Sequence, residues 1–211
     1  DVAVTGVQTC ALPIFKINSE QKMYSYDAKI NCWNEVDPPP ITQHNPRVVA
    51  SDQYLFTIGG LSEARQVLSR SKRFHPTHNT WEDNGKINEA RHSAFGAAMN
   101  GHVYIAGGMT NCGNQGLSSC EMYSALSNEW QLIACLNSPR YNASMVCLEG
   151  KLYVLGGRCS SSNPIIHISR VLTIEELDSE SRAWTVRSVF PVDKFETLEE
   201  TKNKREYKAF F

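Results

Sequence analysis

The histidines at positions 75 and 78 are the first candidates for chemistry in this 211-residue sequence. Only Pro76 and Thr77 separate them, and two imidazoles so close together can supply two of the ligands of a zinc ion. A tight turn that contains a proline explains the same residues, and the sequence indicates no third ligand. We therefore expect a turn here, and no metal site in the protein.

Cysteine thiols are the second candidates, because a thiolate can bind metal or take part in redox chemistry. The sequence has seven cysteines, an odd number, and no Cys-x-x-Cys pair. No charged-then-apolar signal peptide opens the sequence. These features indicate reduced thiols of a cytoplasmic protein. Redox or zinc sensing by Cys112, Cys120 and Cys159 is the alternative, and ordinary thiols are the preferred interpretation.

No other pattern predicts catalysis or a charged ligand. The sequence has no Ser/His/Asp motif, no glycine-rich phosphate loop and no close carboxylate pair in a recognisable context. Lysine and arginine number 21 against 22 acidic residues, which leaves no excess positive charge for the phosphates of nucleic acid. No apolar run reaches the roughly 18 residues of a membrane span. We expect a protein that is not an enzyme, uses no cofactor, and binds neither nucleic acid nor membranes.

Two kinds of residue recur along the chain with a nearly constant period. Tryptophan occurs at spacings of 48, 49 and 54 residues, and a Gly-Gly pair occurs at spacings of 48 and 49. The residues concerned are Trp33, Trp81, Trp130, Trp184, Gly59, Gly60, Gly107, Gly108, Gly156 and Gly157. A period of about 50 is typical of propellers and solenoids. We expect all of these residues to be structural, with the tryptophans filling space between repeats.

Each period predicts four short β-strands. An apolar run led by an aromatic residue precedes each Gly-Gly pair, and a second apolar run lies upstream across a turn such as Asn100-Gly101. A third strand ends seven residues before each tryptophan, which fits a hairpin of constant length into a fourth strand. A lone four-stranded sheet cannot bury both of its faces. Such units therefore stack around an axis as the blades of a propeller.

The combination of Gly-Gly, an aromatic residue and a tryptophan seven residues later resembles the kelch repeat. The resemblance covers roughly residues 20–190. Arg91 and Arg140 match the arginine that often opens the first kelch strand, whereas Gln43 occupies that position in the preceding repeat. The resemblance implies an all-β fold, a fragment of a kelch-type β-propeller with about three complete four-stranded blades and a half-blade.

The expected organisation follows these repeats. Blades span 43–90, 91–139 and 140–190, with a half-blade and linker at 16–42. A short charged tail at 191–211 is expected to be a solvated extension, and a short partner-binding helix is the alternative. Residues 4–14 resemble the translation of a common sequencing adapter, so we expect residues 1–15 to lie outside the fold. A genuine edge strand is the alternative for this segment.

The resemblance also predicts where a partner protein or peptide binds. In similar propellers, the loops after the second strands and the starts of the first strands converge at one end, where recognition residues lie. The matching residues here are Asn45, Ser62, Glu63, Ser93, Thr110, Asn111, Arg140, Tyr141, Asn142, Arg158 and Ser160. Arg140 and Arg158 are suited to an acidic side chain, and Tyr141 to apolar contact. A structural ion pair with a neighbouring blade is the alternative for each arginine.

Two functions fit this resemblance. The first is the propeller of a BTB–BACK–kelch adaptor, which selects a substrate for a cullin-RING ubiquitin ligase that an upstream BTB domain binds. The second is a cytoskeletal or scaffolding kelch protein, for example one that binds actin, without a ligase role. The repeat does not discriminate between them, because a fold does not determine a function. We favour the adaptor, since such proteins are common among animal kelch proteins, and we expect a cytoplasmic location.

Overall fold

A computed structural model of the chain describes residues 2–3, 14–17, 22–27, 30–38, 43–51, 53–111, 116–160, 168–178 and 181–189. These residues form short β-strands linked by turns and loops. The all-β prediction is confirmed. Within the described ranges, no helix is long and apolar enough to cross a membrane.

The strands form four antiparallel four-stranded sheets. The first sheet contains β1 (Val2–Ala3), β2 (Ile14–Ile17), β3 (Met23–Asp27) and β4 (Cys32–Val36). The second contains β5 (Arg47–Ala50), β6 (Leu55–Ile58), β7 (Arg70–His75) and β8 (Thr80–Lys86). The third contains β9 (Phe95–Met99), β10 (His102–Ala106), β11 (Cys120–Ser124) and β12 (Glu129–Ile133).

The fourth sheet carries an insertion in the loop after its second strand. Its strands are β13 (Ser144–Leu148), β14 (Lys151–Leu155), β17 (Thr173–Leu177) and β18 (Trp184–Val189). Between β14 and β17 the chain forms a separate two-stranded ribbon from β15 (Arg158–Ser160) and β16 (Ile168–Arg170). The additional residues of this repeat are therefore inserted in the loop of variable length, while the hairpins keep their length.

The first sheet includes residues of the segment 1–15. Val2 pairs with Ile17, and Ile14 pairs with Tyr26, so β1 and β2 lie beside β3 in this sheet. The edge of β3 offers N–H and C=O groups with which an extended segment can pair. The adapter origin of residues 4–14, the exclusion of residues 1–15 from the fold and the half-blade at 16–42 stay predictions. The predicted tail at 191–211 lies outside the described residues.

Successive sheets pack face to face. Tyr123 and Trp130 of the third sheet lie in one buried cluster with Val49, Phe56 and Ile58 of the second. The fourth sheet covers the other face of the third in the same way. The third sheet therefore covers its predecessor with one face and is covered by its successor on the other, as in a propeller.

Burial of the four predicted structural tryptophans follows this packing. Trp130 and Trp184 are only 7% and 5% exposed, and Trp81 is half-buried. Trp33 is 47% exposed, although its ring lies 5.2 Å from that of Tyr26 in the same arrangement as Trp130 and Tyr123. Among the described residues no sheet precedes the first one. The prediction that Trp33 fills a space between repeats is therefore wrong in this chain.

The Gly-Gly pairs connect each repeat to the next. The backbone N–H of Gly60 donates to the carbonyl of Arg91 at 2.8 Å, and that of Gly108 donates to the carbonyl of Arg140 at 2.9 Å. Gly107 has a φ of 58°, and a Cβ there would lie 2.4 Å from the Arg140 carbonyl oxygen. Only glycine allows both that conformation and that close approach.

Trp130→Ala should lower the free energy of unfolding by about 3–5 kcal/mol, because it removes a buried aromatic side chain between two sheets. Trp33→Ala, at the equivalent but exposed position, should cost about 1 kcal/mol or less. Urea denaturation of both variants beside the wild type measures the difference. Equal losses in the two variants would contradict the sheet-on-sheet packing.

Candidate functional site

Three of the predicted partner-binding residues occupy equivalent backbone positions. Asn45, Ser93 and Asn142 precede the first strands of the second, third and fourth sheets, with φ values of 50°, 53° and 49°. Asparagine tolerates this left-handed conformation better than serine does. The backbone N–H of Asn142 donates to the carbonyl of Ser93 at 2.9 Å. Neighbouring repeats therefore meet at this end of the fold.

Short backbone bridges bring the loops to the same end. His44 pairs with Leu61, His92 with Met109, and Tyr141 with Arg158. Each bridge joins the residue before a left-handed position to the residue that follows a Gly-Gly pair. The start of the first strand and the start of the next variable loop are therefore neighbours within the second, third and fourth sheets.

Nine of the eleven predicted residues reach the surface. The exposed ones are Asn45, Glu63, Asn111, Asn142 and Arg158. The half-buried ones are Ser62, Ser93, Thr110 and Ser160. We call these nine residues the loop face. It is a polar surface with one carboxylate and one guanidinium, held by backbone hydrogen bonds to the sheets beneath it.

Arg140 and Tyr141 do not belong to the loop face. Their exposed fractions are 0% and 6%, and the Arg140 guanidinium contacts the carboxylate of Glu175 inside its own sheet. It also donates to the carbonyl oxygens of Gly156 and Thr173 at 3.1 and 3.2 Å. The prediction that Arg140 and Tyr141 bind a partner is wrong, since no partner can reach them. Arg140 is a structural residue, paired within its repeat and not with a neighbouring one.

A second arginine repeats this arrangement. Nη2 of Arg91 lies 2.9 Å from Oε1 of Glu121, and both side chains are fully buried. Asn88 donates its backbone and side-chain N–H groups to the same carboxylate at 2.6 and 2.8 Å. In the fourth sheet, Asn137 donates to Glu175 in the same way. Each carboxylate thus joins the arginine of its repeat to the segment that enters that repeat.

Sequence reasoning missed the two glutamates and the two asparagines. The signal that would find them is an Asn-x-x-Arg segment before the first strand, followed by a glutamate nine residues before the tryptophan of the same repeat. Burial lowers the pKa of Arg140, and the negative charge of Glu175 opposes this effect. Glu175 therefore allows Arg140 to stay charged inside the sheet, where the N–H groups of its guanidinium are hydrogen-bonded.

The structure also places the histidines and most of the cysteines that the sequence offered as candidates for metal binding or redox chemistry. The rings of His75 and His78 lie 4.1 Å apart at the turn between β7 and β8. Within the described ranges, no group of three or more His, Cys, Asp or Glu side chains is placed to hold a metal ion. Burial raises the pKa of Cys120 to about 12, so this side chain is a thiol at neutral pH. Cys159 is half-buried, and Cys112 lies outside the described residues.

Glu175→Gln should destabilise the chain by about 3–5 kcal/mol, because it leaves the buried Arg140 guanidinium without an anion. The double variant Arg140→Met, Glu175→Leu removes both charges and should lose less. Urea denaturation of the two variants and the wild type gives this comparison. A single variant as stable as the wild type would show that the pair does not hold the sheet.

His92 should make stability depend on pH. Its Nδ1 lies 3.0 Å from the Ser93 hydroxyl, and burial lowers the pKa of His92 from the ordinary value of about 6.5. As the pH falls through about 6.5, the unfolded chain binds a proton that folded His92 does not, so the free energy of unfolding decreases. In His92→Gln this decrease between pH 7.5 and 5.5 should be smaller. Identical decreases in urea denaturation of the two proteins would contradict this prediction.

Comparison with known proteins identifies the repeats. One family model, described as "Kelch motif", matches residues 90–137, and a second with the same description matches residues 139–191. A solved structure of YjhT is similar with a TM-score of 0.65 and 14% sequence identity, covering 80% of this chain and 52% of that chain. Similarity at this identity shows the fold.

Curated relatives match about half of the chain. Kelch-like protein 40 of Xenopus laevis is 32% identical over 89 residues, which are 42% of this chain and 14% of that protein. Kelch-like protein 9 of Mus musculus is 26% identical over 108 residues, 49% of this chain and 17% of that protein. Kelch repeat and BTB domain-containing protein 1 of Camelpox virus (strain CMS) is 28% identical over 90 residues, 42% of this chain and 16% of that protein. The matched part of the chain spans only 14–17% of the length of these relatives.

Proposed function

We propose that this chain, in which residues 90–137 and 139–191 match kelch motifs, is the substrate-recognition propeller of a cullin-RING ubiquitin ligase adaptor. The kelch repeats and the Kelch-like relatives make it a protein-interaction module. The observation that carries the finer proposal is the similarity to relatives named Kelch-like and to a further relative whose name includes a BTB domain. In this proposal the propeller binds a substrate, needs no cofactor, and carries out no catalysis of its own.

The loop face supports a role in recognition. Its side chains project from loops and left-handed turns whose backbones are fixed by hydrogen bonds to buried residues. Binding of a partner therefore requires little ordering of the backbone. Arg158 is exposed, and the bridge to Tyr141 holds its backbone in place. A guanidinium in that position can bind the carboxylate of a partner through two N–H groups.

Arg158→Glu should weaken binding of the protein substrate about tenfold or more. The reason is that the attraction between the guanidinium and a carboxylate of the partner becomes repulsion between two carboxylates. Arg182→Glu, an exposed arginine outside the loop face, is the matched control and should retain binding. Co-precipitation of substrate with each variant measures the effect. Unchanged binding by Arg158→Glu would remove this residue from the recognition surface.

The ligase role is tested on the longer protein. Sequencing the intact transcript upstream of residue 15 should show a BTB domain, and the protein it encodes should co-purify with a cullin and its RING subunit. Blades alone, or another kind of domain, would overturn the adaptor proposal. In that case cosedimentation with actin filaments would test the cytoskeletal role instead.

We also propose a cytoplasmic location. It is supported by the cysteines at 32, 120, 135, 147 and 159, which are free thiols in the structure. Fluorescence microscopy of the intact protein with a C-terminal tag tests this location, and a signal confined to secretory compartments would overturn it.

A further inference from the structure

The second sheet departs from the third and fourth at the place where those two sheets hold a buried ion pair. In the third sheet the pair is Arg91 and Glu121, and neither side chain is exposed. The equivalent positions in the second sheet lie sixteen residues before the Gly-Gly pair and nine residues before the tryptophan, and they are Gln43 and Lys72. A neutral amide thus replaces the cation, and a cation replaces the anion.

The backbone keeps these two positions side by side. Thr57 pairs with Lys72 across β6 and β7. The same register joins Ile105 to Glu121 in the third sheet. The residue after Gln43 forms the same bridge to the residue after the Gly-Gly pair as its counterparts in the other two sheets. The two side chains therefore start from the places at which an arginine and a glutamate meet in the third and fourth sheets.

Thr57 is a third change at the same place. The equivalent residues of the third and fourth sheets are Ile105 and Val154, which are apolar and fully buried. Thr57 is fully buried as well, and its Oγ1 has no hydrogen-bond partner among the described residues. A buried hydroxyl without a hydrogen bond destabilises the folded chain. A polar group has therefore entered a position that apolar side chains fill in the other repeats.

Gln43 and Lys72 add further donors that the described residues do not satisfy from within. Gln43 is 4% exposed, and both polar atoms of its amide are without a partner in the described part of the chain. The Lys72 ammonium lies 3.1 Å from Oδ1 of Asp83, a side chain that is 77% exposed. That carboxylate is therefore largely hydrated, whereas the lysine side chain is only 9% exposed. The buried end of the cluster contains a cation and no buried anion among the described residues.

We propose that the second sheet binds a chloride ion between Gln43, Thr57 and Lys72. The ammonium, the amide N–H groups and the hydroxyl are all donors, and a buried negative charge is stable only when such donors surround it. Chloride would then provide the negative charge that Glu121 and Glu175 provide in the other two repeats.

The burial of the cluster determines the size of the ligand, and its charge determines the sign. The exposed fractions of Gln43, Thr57 and Lys72 are 4%, 0% and 7%, which leaves no access for a peptide or another macromolecule. A metal cation at the same place would be repelled by the Lys72 ammonium. A buried water molecule is the alternative, because water also satisfies an amide and a hydroxyl.

Thermal melting of the full chain in two salts separates chloride from water. Sodium gluconate at equal ionic strength is the reference, because its anion is too large for the site. Between about 10 and about 200 mM chloride, the melting temperature should rise about 3 °C more than in gluconate, because the ion binds the folded chain only. Potassium chloride should act like sodium chloride. A buried water molecule predicts equal melting temperatures in chloride and gluconate.

Lys72→Met tests the residues of the site, because methionine keeps the apolar stem of the side chain and removes the charge. The line width of the chloride NMR signal measures binding directly, and the affinity of this variant should be about tenfold weaker than that of the wild type. Lys86→Met, which removes an exposed lysine of β8 in the same sheet, is the matched control and should bind as the wild type does.

The double variant Gln43→Arg, Lys72→Glu installs the ion pair of the other repeats. Its own carboxylate should occupy the site, so its melting temperature should no longer respond to chloride. Equal melting of the wild type in chloride and gluconate would overturn the proposal, as would unchanged chloride binding by Lys72→Met. A response to the cation instead of the anion would overturn it in favour of a cation site. None of these results depends on the loop face or on a BTB domain.

Discussion

The fold depends on the burial of sheet faces against one another. A four-stranded sheet has two faces, and neighbouring sheets of this chain bury the faces that meet. Two tryptophans at equivalent positions show the constraint most clearly. Trp130 is buried and Trp33 is exposed, although each stacks on the tyrosine of its own hairpin. The local hairpin is complete in both cases, and only the neighbouring sheet differs.

Buried ion pairs connect this packing to the loop face. Glu121 and Glu175 fix the arginine that opens the repeat, and the carbonyl of that arginine accepts the Gly-Gly N–H of the preceding repeat. The left-handed residue lies two positions after each arginine. A charge pair in the sheet interior therefore determines where the loop face begins. In the second sheet Gln43 replaces the arginine, is 4% exposed and has unpartnered amide atoms, so this repeat lacks the pair.

Spacing made the sheets predictable from the sequence, because turn chemistry and aromatic positions recur at fixed intervals. The site was harder to predict, for physical reasons that differ from residue to residue. An arginine next to a strand is ordinarily exposed. Arg140 is buried because it pairs with Glu175, which lies 35 residues away across a loop of variable length. Exposure of Trp33 depends on a missing neighbour and not on its own repeat. The position of Arg158 could be predicted, since its bridge follows directly from the Gly-Gly spacing.

The ribbon formed by β15 and β16 shows what the variable loops permit. It extends a loop that leaves its sheet directly after a Gly-Gly pair, and that exit is held by the Arg140 guanidinium on the Gly156 carbonyl and by backbone bonds between Tyr141 and Arg158. Length and side chains beyond Arg158 can therefore change during evolution without altering the hydrophobic layers below. A lineage of such proteins can exchange one binding specificity for another by insertion and substitution in these loops, while the inherited scaffold continues to fold.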